Sequence, residues 1–323
     1  MFDINNHIRF RRIFAPNKLT LGFILPLEAY PDTAAPMMNN HVELVKLADT
    51  AGFAALWARD IPLLDPNFGD AGQLYDPFTY LSFLSAHTQN IALATGSTVL
   101  TLRHPLHVAK QANSVDQLSN GRMVLGIASG DRGVEYPAFG LSQEYDERGE
   151  RFREAYHYFR QAAEHEFPQH FSARFGELDG SLNLLPKAHQ SRVPVVVTGS
   201  SRQDINWIAE HSDAWLYYFI DASRLSPLLH TWKVASKAFT QDGLPKPFAQ
   251  GLFLDLASNP DHPVQSIHSG MRVGRNTLIK YLKRIQDMGV NHLTFNLKLS
   301  QRPAVEVVSE LAEFVLPHFP AHD

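Results

Sequence analysis

The stretch IALATGSTVLTLRHPLHVAKQANSVDQLSNGRMVLGIASG, residues 91–130, contains a strand, a helix and a second strand in direct succession. Residues 91–100 are mostly apolar and β-branched, which predicts a buried strand, and residues 122–130 repeat that pattern. Between them, residues 105–118 begin with proline and end before the turn sequence Ser-Asn-Gly, which predicts a helix. Two strands joined by such a crossover helix are parallel in their sheet.

The same strand-then-helix order is repeated along the chain. The other six predicted strands cover residues 19–26, 53–60, 193–200, 214–219, 248–256 and 292–297. The other predicted helices cover residues 39–51, 77–87, 147–165, 202–211, 221–240, 275–288 and 303–317. Eight such units without a break in composition predict one (β/α)₈ TIM-barrel domain over residues 1–323. A doubly wound open sheet is the alternative, but no GxGxxG or Walker motif opens any helix.

Three segments lie outside this repeat. Residues 1–18 precede the first predicted strand and form an N-terminal extension. Residues 171–186 are a small insertion before the fifth strand, and the Asp-Gly pair at 179–180 predicts a hairpin of two short strands there. Residues 258–274 are rich in proline, aspartate, histidine and glycine, which predicts a loop.

The composition excludes several functions. The chain is 44% hydrophobic and 19% charged, which is typical of a soluble globular protein, and its net charge of −4 argues against nucleic-acid binding. There is no cysteine, so disulfides and thiolate chemistry are excluded, and the 16 histidines form no HxH or HExxH motif. No metal is therefore expected. The sequence shows no secretory signal and no apolar run of about 18 residues, so we expect a cytoplasmic protein that does not enter membranes.

The carboxyl ends of barrel strands carry the active site in this fold, and two of these ends are rich in small polar residues. Gly199, Ser200 and Ser201 follow a buried strand and open a predicted helix, whose free N–H groups favour an anion. The alternative is that Ser201 only caps that helix. Ser129 and Gly130 end another strand and would let a ligand approach the backbone.

Charged residues follow two of these strands. Arg132 lies two residues beyond Gly130 and could contact a phosphate, or it could be a solvated turn residue. The third predicted strand carries the small polar sequence Thr-Gly-Ser-Thr at 95–98 and exits at Arg103 and His104. No GxSxG motif accompanies these residues, which argues against a serine hydrolase.

Several stretches resemble the bacterial-luciferase-like family of flavin-dependent monooxygenases and oxidoreductases. They include GFAALWARD, EYPAFG, ERGERFRE, VPVVVTGSSRQDINWIAEHSDAWL and the block RHP…A…SVDQLSNGR…LGIASG, in order from about residue 19 to residue 317. The resemblance implies a (β/α)₈ barrel that binds flavin mononucleotide (FMN) at its carboxyl mouth. It also implies that FMN arrives reduced from a separate flavin reductase and reacts with oxygen to oxidise a small organic substrate. Homodimers are common in this family.

The resemblance further implies which residues form the site. A non-prolyl cis peptide is expected at Gly96–Ser97, under the flavin ring. The flavin phosphate is expected after the fourth and fifth strands, and a tyrosine in some members contacts the cofactor. Arg132 would replace an arginine that some relatives carry at position 129. The expected cofactor-binding residues are Gly96, Ser97, Ser129, Gly130, Arg132, Tyr136, Gly199, Ser200 and Ser201.

One position departs from the family pattern. Many members carry a catalytic histidine directly after the acidic residue of the second strand, and here Ile61 follows Asp60. Asp60 or His104 is therefore the candidate catalytic base, although Asp60 could instead be an anchor paired with Arg59. The departure keeps two alternatives open: a deazaflavin- or nicotinamide-linked dehydrogenase on the same barrel, and a flavin-binding protein without catalysis.

Overall fold

A closed ring of eight parallel strands forms the centre of the protein. The computed structural model describes residue 4, residues 7–240 and residues 242–321. In chain order the strands are β1 (Thr20–Ile24), β2 (Ala55–Ala58), β3 (Ala92–Thr95), β4 (Thr98–Val99), β5 (Met123–Ala128), β6 (Gln169–Ser172), β7 (Gly176–Asp179), β8 (Val195–Thr198), β9 (Ala214–Tyr217), β10 (Phe248–Leu256), β11 (Gln265–Ile267), β12 (Gly270–Val273) and β13 (His292–Asn296). The ring runs β1-β2-β3-β5-β8-β9-β10-β13 and closes from β13 to β1, which confirms the predicted TIM barrel.

Most of the helices pack on the outside of the ring. The helices are α1 (Ile8–Ile13), α2 (His41–Ala51), α3 (Pro77–Ser85), α4 (Pro105–Leu118), α5 (Arg148–Glu164), α6 (Ile205–His211), α7 (Ala222–Lys237), α8 (Arg275–Met288) and α9 (Ala304–Glu310). The main apolar core lies between these helices and the outward faces of the strands, as in other barrels of this type. No helix of the described residues is both long enough and apolar enough to cross a membrane.

The amino end of the barrel is closed by α1, a helix that the sequence analysis did not predict. Phe10, Ile13 and Phe14 pack against small inward-facing residues of the strands, such as Ala92 and Ala249. Residues 1–3 and 5–6 of the predicted extension lie outside the described residues. Because α1 covers the amino end, the carboxyl ends of the strands are the accessible mouth of the barrel.

Two predictions for the connecting segments need correction. Residues 258–274 are not only a loop: they contain the antiparallel pair β11–β12, and β12 extends the sheet beside β10. The insertion before β8 does form a two-stranded hairpin, β6–β7, but its turn lies at residues 173–175. The Asp-Gly pair at 179–180 ends β7 instead, because Gly176 already begins the second strand.

Candidate functional site

The third strand of the barrel is interrupted at the mouth by a cis peptide bond between Gly96 and Ser97. This confirms the expectation from the family resemblance. β3 ends at Thr95, and β4 then continues the pairing with β5. Gly96 and Ser97 are partly exposed, and a Cβ atom on Gly96 would lie 3.2 Å from the Cβ atom of Trp57. The cis peptide therefore lies directly on the Trp57 side chain.

Trp57 is the first of a series of buried, hydrogen-bonded groups that runs through the barrel below the mouth. Its Nε1–H donates to Nε2 of His292 at 3.0 Å, and both side chains are fully buried. Nδ1 of His292 then carries the ring proton and donates to the Thr20 hydroxyl (2.8 Å), which donates to the Ile13 carbonyl oxygen (2.6 Å). Burial lowers the pKa of His292 to about 3. The floor of the mouth is therefore neutral and fixed.

We expect His292 to remain uncharged in the folded protein down to about pH 4. An unfolded histidine titrates near 6.5, so between pH 6.5 and about 3 only the unfolded chain binds this proton. The contribution of the neutral, buried His292 to the free energy of unfolding is therefore complete above pH 6.5. It decreases by about 1.4 kcal/mol for each pH unit below that value. A nitrogen-15 NMR titration of the labelled imidazole rings measures this directly. A His292 resonance that titrates near pH 6.5 would contradict the prediction.

Asp60, a predicted catalytic residue, is held by an arginine and a backbone amide. Arg103 donates to both of its carboxylate oxygens at 2.8 Å, and the Val99 N–H donates to one of them at 3.1 Å. The partner is thus Arg103, not Arg59 as the alternative interpretation of Asp60 had it, and Arg59 pairs with Asp70. This arrangement ties the end of β2 to the strand segment directly after the cis peptide.

Arg103 also bonds Asp76, which caps helix α3. Its Nη2 lies 2.8 Å from an Asp76 carboxylate oxygen, while the other Asp76 oxygen accepts from the N–H groups of Phe78 and Thr79. One guanidinium therefore joins the end of β2 to the starts of α3 and α4. From the sequence, Arg103 was only a residue at the exit of the third predicted strand.

His104, the second predicted catalytic residue, caps helix α4. Its Nδ1 accepts from the Leu106 N–H at 3.2 Å, so Nε2 carries the proton and donates to the Phe175 carbonyl oxygen at 3.2 Å. Burial lowers the pKa of His104, which favours this neutral form. Both ring nitrogens thus bind backbone groups.

Ser129 and Gly130 lie at the end of β5, where the chain turns sharply. Gly130 has φ +70°, and a Cβ atom there would lie 2.7 Å from Cγ1 of Val99. The Ser129 carbonyl oxygen accepts from the hydroxyls of Thr101 (2.8 Å) and Tyr136 (3.0 Å). Tyr136 is almost fully buried, so its hydroxyl positions this turn.

Arg132 contacts groups outside this turn. It forms an ion pair with Glu135 at 2.9 Å, donates to the Leu63 carbonyl oxygen and packs over the Phe68 ring. Arg148 lies closer to the turn, since its Nε donates to the Gly130 carbonyl oxygen at 3.2 Å. Arg148 was not among the predicted site residues, and its position early in the ERGERFRE helix was the available signal.

The turn after β8 differs from its prediction. Helix α6 begins at Ile205, not at residue 202, and Asp204 caps it by accepting from the N–H groups of Asn206 and Trp207. The amide groups at the start of α6 are therefore capped by Asp204 and lie beyond the two serines. The Ser201 hydroxyl donates to the Thr198 carbonyl oxygen instead.

Residues 199–202 form a tight turn in which several backbone N–H groups are unpaired. Gly199, Ser201 and Arg202 all have positive φ, and Ser200 is exposed. The N–H groups of Ser200, Ser201 and Arg202 donate to no acceptor within residues 7–240 and 242–321. Unpaired amides in a turn are typical anion-binding groups.

The start of helix α5 contacts both the turn at Ser129 and Gly130 and the turn at residues 199–202. Arg148 bonds the Gly130 carbonyl oxygen, and a Cβ atom on the next residue, Gly149, would lie 3.0 Å from the Cβ atom of Arg202. Gln203 donates to the Gly149 carbonyl oxygen at 2.9 Å. The two turns predicted to bind a phosphate thus flank the same helix end.

A second charged cluster lies at the ends of β2 and β13. Asp70 accepts from Arg59 (2.8 Å) and from the Tyr30 hydroxyl (3.1 Å), and Lys298 lies 3.7 Å away. Burial by itself would raise the pKa of Asp70, but Arg59 and the Gly72 N–H hold it below its usual value. Within the described residues there is no group of three or more possible metal ligands.

The sequence pattern of luciferase-like monooxygenases matches residues 20–264, which is more than half of the chain. The chain belongs to the luciferase-like monooxygenase family. This agrees with the resemblance found in the sequence and with the cis peptide.

Two curated relatives of this luciferase-like chain are oxygenases. The oxygenase component of the flavin-dependent trigonelline monooxygenase of Acinetobacter baylyi is 31% identical over 122 residues, 38% of this chain and 32% of that protein. The alkanal monooxygenase beta chain of Photorhabdus luminescens is 31% identical over 114 residues, 35% of this chain and 33% of that protein. The chain thus matches about a third of the length of these relatives.

Solved structures of the same fold include enzymes that use different cofactors. An F420-dependent secondary alcohol dehydrogenase has a TM-score of 0.76 at 17% identity, covering 95% of this chain and 100% of that one. The EDTA monooxygenase of Chelativorans sp. BNC1 has a TM-score of 0.75 at 13% identity, with 93% of each chain covered. At these identities the likeness shows the fold alone. For this luciferase-like chain, the catalytic roles of Asp60 and His104 stay predictions.

Proposed function

We propose that this protein is the oxygenase component of a two-component flavin-dependent monooxygenase. It receives reduced FMN from a separate flavin reductase and oxidises a small organic substrate. The reduced flavin supplies both electrons for the reaction with O₂, so that one oxygen atom enters the substrate and the other leaves as water. Its family and the oxygenase components among its relatives support this proposal.

The shape of the mouth carries the proposal. The small residues Gly96 and Ser97 are partly exposed above a fixed, neutral floor, which suits a planar ring. The unpaired amides of the turn at residues 199–202 suit a phosphate, and α5 holds this turn beside Gly130. A planar ring with a phosphate is the chemistry of FMN. In this proposal Gly96 and Ser97 contact the ring, and Ser129, Gly130, Ser200 and Ser201 surround the phosphate.

The deazaflavin F420 also combines a flat ring with a phosphate, and a structural neighbour uses it. Anaerobic fluorescence titrations with reduced FMN and with oxidised F420 separate the two. We expect reduced FMN to bind more tightly than F420, and mixing the FMN complex with O₂ to give a rapid absorbance change. Tighter binding of F420 would favour hydride transfer, whereas FMN binding without any reaction with O₂ would favour a protein that only binds flavin.

A glycine pair tests the position of the cofactor. Gly130 and Gly140 have nearly the same backbone, with φ +70° and +71°. A Cβ atom on Gly130 would meet Val99 at 2.7 Å, whereas one on Gly140 has no atom within 4 Å. Both Gly130→Ala and Gly140→Ala strain the backbone by about 1 kcal/mol, but only the first displaces the turn.

We therefore expect Gly130→Ala to weaken the binding of reduced FMN at least tenfold and Gly140→Ala to leave it unchanged. The dissociation constants from the anaerobic titration measure this, and thermal unfolding of both variants controls for stability. Equal affinities in the two variants would place the cofactor elsewhere.

A further inference from the structure

The charged cluster around Asp70 lies at the mouth, and the contacts proposed for FMN leave it unused. Arg59 follows β2, Tyr30 follows β1 and Lys298 follows β13, and these three strands are neighbours in the barrel ring. Arg59 lies 2.8 Å from the Asp70 carboxylate and Lys298 lies 3.7 Å from it. Two basic side chains thus share one carboxylate, and the cluster carries one excess positive charge, which attracts an anion.

Arg59 lies beside the backbone on which we place the flavin ring. The Gly96 N–H donates to the Ala58 carbonyl oxygen at 2.7 Å, so Arg59 and Gly96 are neighbours across β2 and β3. Trp57 belongs to the cluster inside the barrel, and alternate residues of a strand face the same side. Arg59 therefore follows Trp57 on the inner side of the mouth, and a group bound to it would lie at the edge of the ring.

Arg59 has a donor that the fold does not use. Its Nη2 donates to Asp70 at 2.8 Å, while Nε is buried without a partner near Gly72, where a Cβ atom would lie 3.1 Å from it. Nη1 donates to no described residue, and the side chain is 17% exposed. The next carboxylate, Asp60, is bonded on both oxygens by Arg103 and does not compete for Arg59. Nη1 is therefore free to bind an additional anion.

This anion site is separate from the turns that we assign to the flavin phosphate. Those turns follow β5 and β8, whereas Arg59 follows β2, and β3 with Gly96 lies between them in the ring. FMN carries a single phosphate group. A second anion site on the other side of Gly96 therefore fits a second, anionic molecule that binds beside the cofactor.

Apolar side chains lie near Arg59 on the inner wall of the mouth. Ile24 is the register partner of Trp57, packs on the cluster inside the barrel and is partly exposed. Phe253 of β10 is also partly exposed and lies on the same side of its strand as Gly251, whose Cβ position is 3.4 Å from Ile24 Cδ1. These two side chains offer a surface for the apolar part of a ligand.

We propose that Arg59 binds the substrate, and that the substrate is a small carboxylate with an apolar body. Its carboxylate accepts from Nη1 of Arg59, and its apolar body packs against Ile24 and Phe253. The word substrate rests on the proposed oxygenase function, but binding of the carboxylate does not depend on flavin.

Sodium benzoate and benzamide test the preference for an anion, because they have nearly the same shape and differ in charge at pH 7. In calorimetric titrations of the full chain without flavin, we expect benzoate to bind at least about tenfold more tightly than benzamide, the usual effect of a hydrogen bond between charged groups. Equal affinities, tighter binding of benzamide or no binding of benzoate would overturn the proposal.

Arg59→Met tests the contact itself. It should weaken benzoate binding at least about tenfold, and Arg59→Lys should recover only part of the affinity because it keeps the charge without the planar donors. Asp70 keeps its bonds from the Tyr30 hydroxyl and the Gly72 N–H in both variants, and circular dichroism checks that they fold.

Arg272→Met is the matched control. Arg272 also pairs with a buried carboxylate near a strand end, that of Asp255 at 2.9 Å, so the variant removes a positive charge without touching Arg59. Its affinity for benzoate should equal that of the native chain. An equal loss in Arg272→Met, or an unchanged affinity in Arg59→Met, would contradict the assigned contact.

Titrations with both ligands distinguish a substrate contact from a cofactor contact. We expect benzoate to bind to the complex with reduced FMN as well as to the free chain, and Arg59→Met to bind reduced FMN with nearly the native affinity. Displacement of reduced FMN by benzoate, or much weaker binding of reduced FMN by Arg59→Met, would assign Arg59 to the cofactor and overturn the proposal.

The outcomes for Arg59 and for the proposed function are separate. Tight binding of reduced FMN without any binding of benzoate would reject the carboxylate site and leave the oxygenase proposal in place. Benzoate binding that depends on Arg59, without any flavin binding, would support the carboxylate site and reject the oxygenase.

Discussion

Gly126→Ala is expected to destabilise the protein by at least about 3 kcal/mol. Gly126 lies in β5, and a Cβ atom there would be 1.9 Å from the carbonyl oxygen of Thr95 and 3.0 Å from its carbon. These are backbone atoms, so no side-chain rotation relieves the clash and β3 has to move. Because Thr95 directly precedes Gly96 and Ser97, which we propose contact the flavin ring, we expect flavin binding to be lost together with stability.

Gly251→Ala is the matched control for this prediction. Gly251 is also a glycine of a barrel strand, but a Cβ atom there would lie 3.4 Å from Ile24 Cδ1, 3.5 Å from Thr294 Cγ2 and 3.9 Å from the Thr294 carbonyl oxygen. These are ordinary contacts, so the change in free energy of unfolding should stay within about 1 kcal/mol. Urea unfolding followed by circular dichroism measures both variants. Similar midpoints would mean that β3 and β5 tolerate separation.

The strand and helix pattern was predictable because it depends on local sequence. The bounds of α4, β10 and α8 in the structure are the predicted ones, and in each case an apolar repeat ends at a proline, a glycine or a polar turn. The closed ring was also predictable, since eight alternating units leave few arrangements that bury every strand.

The break in the third strand was not visible in this pattern. Residues 91–100 are almost uniformly buried, and periodicity treats them as one strand. The pattern of small polar residues at 95–98 was a sign of it, and only the family resemblance gave the cis bond its position. The hairpin β11–β12 was missed because its strands have three and four residues, too short for an alternating pattern.

The partners of the charged residues were the least predictable part of the site. Asp60 lies next to Arg59 in sequence, yet it pairs with Arg103, 43 positions away. Arg132 is close to Gly130 in sequence, yet Arg148 bonds that turn. These choices depend on how helices and loops from different units meet at the mouth, which the local sequence does not encode.

Removing the charge of Arg103, which binds Asp60 and Asp76, is the second change that we expect to destabilise the protein strongly. Arg103→Met keeps the volume of the side chain but removes the charge between Asp60 and Asp76. The Asp60 side chain is only 3% exposed, so it would be left as a buried carboxylate whose one remaining hydrogen bond from the described residues is that of the Val99 N–H. Removing one partner of a buried ion pair costs about 3–5 kcal/mol, and we expect a loss near 3 kcal/mol because Arg103 is 21% exposed.

Arg153→Met is the control, since Arg153 and Asp204 are 47% and 62% exposed and 3.8 Å apart. Such a pair contributes less than about 1 kcal/mol. Arg103→Lys should recover only part of the loss, because an ammonium cannot bond both oxygens of Asp60 and also reach Asp76 with the same geometry. Urea unfolding at pH 7 measures all three variants.

The pH dependence of the unfolding free energy tests whether the carboxylates cause the loss of stability in Arg103→Met. Burial by itself would raise the pKa of Asp76, but bonds from the Thr79 N–H and Arg103 hold it below the usual value of 3.8. The contribution of ionised Asp76 to the stability of the folded protein is therefore complete above pH 3.8. It is lost as the pH falls through the lower pKa of the folded state. The difference in stability between the native chain and Arg103→Met should shrink as the pH is lowered from 5 towards 3. A difference that stays constant over this range would mean that Arg103 stabilises the mouth by packing over Phe78 rather than by its charge.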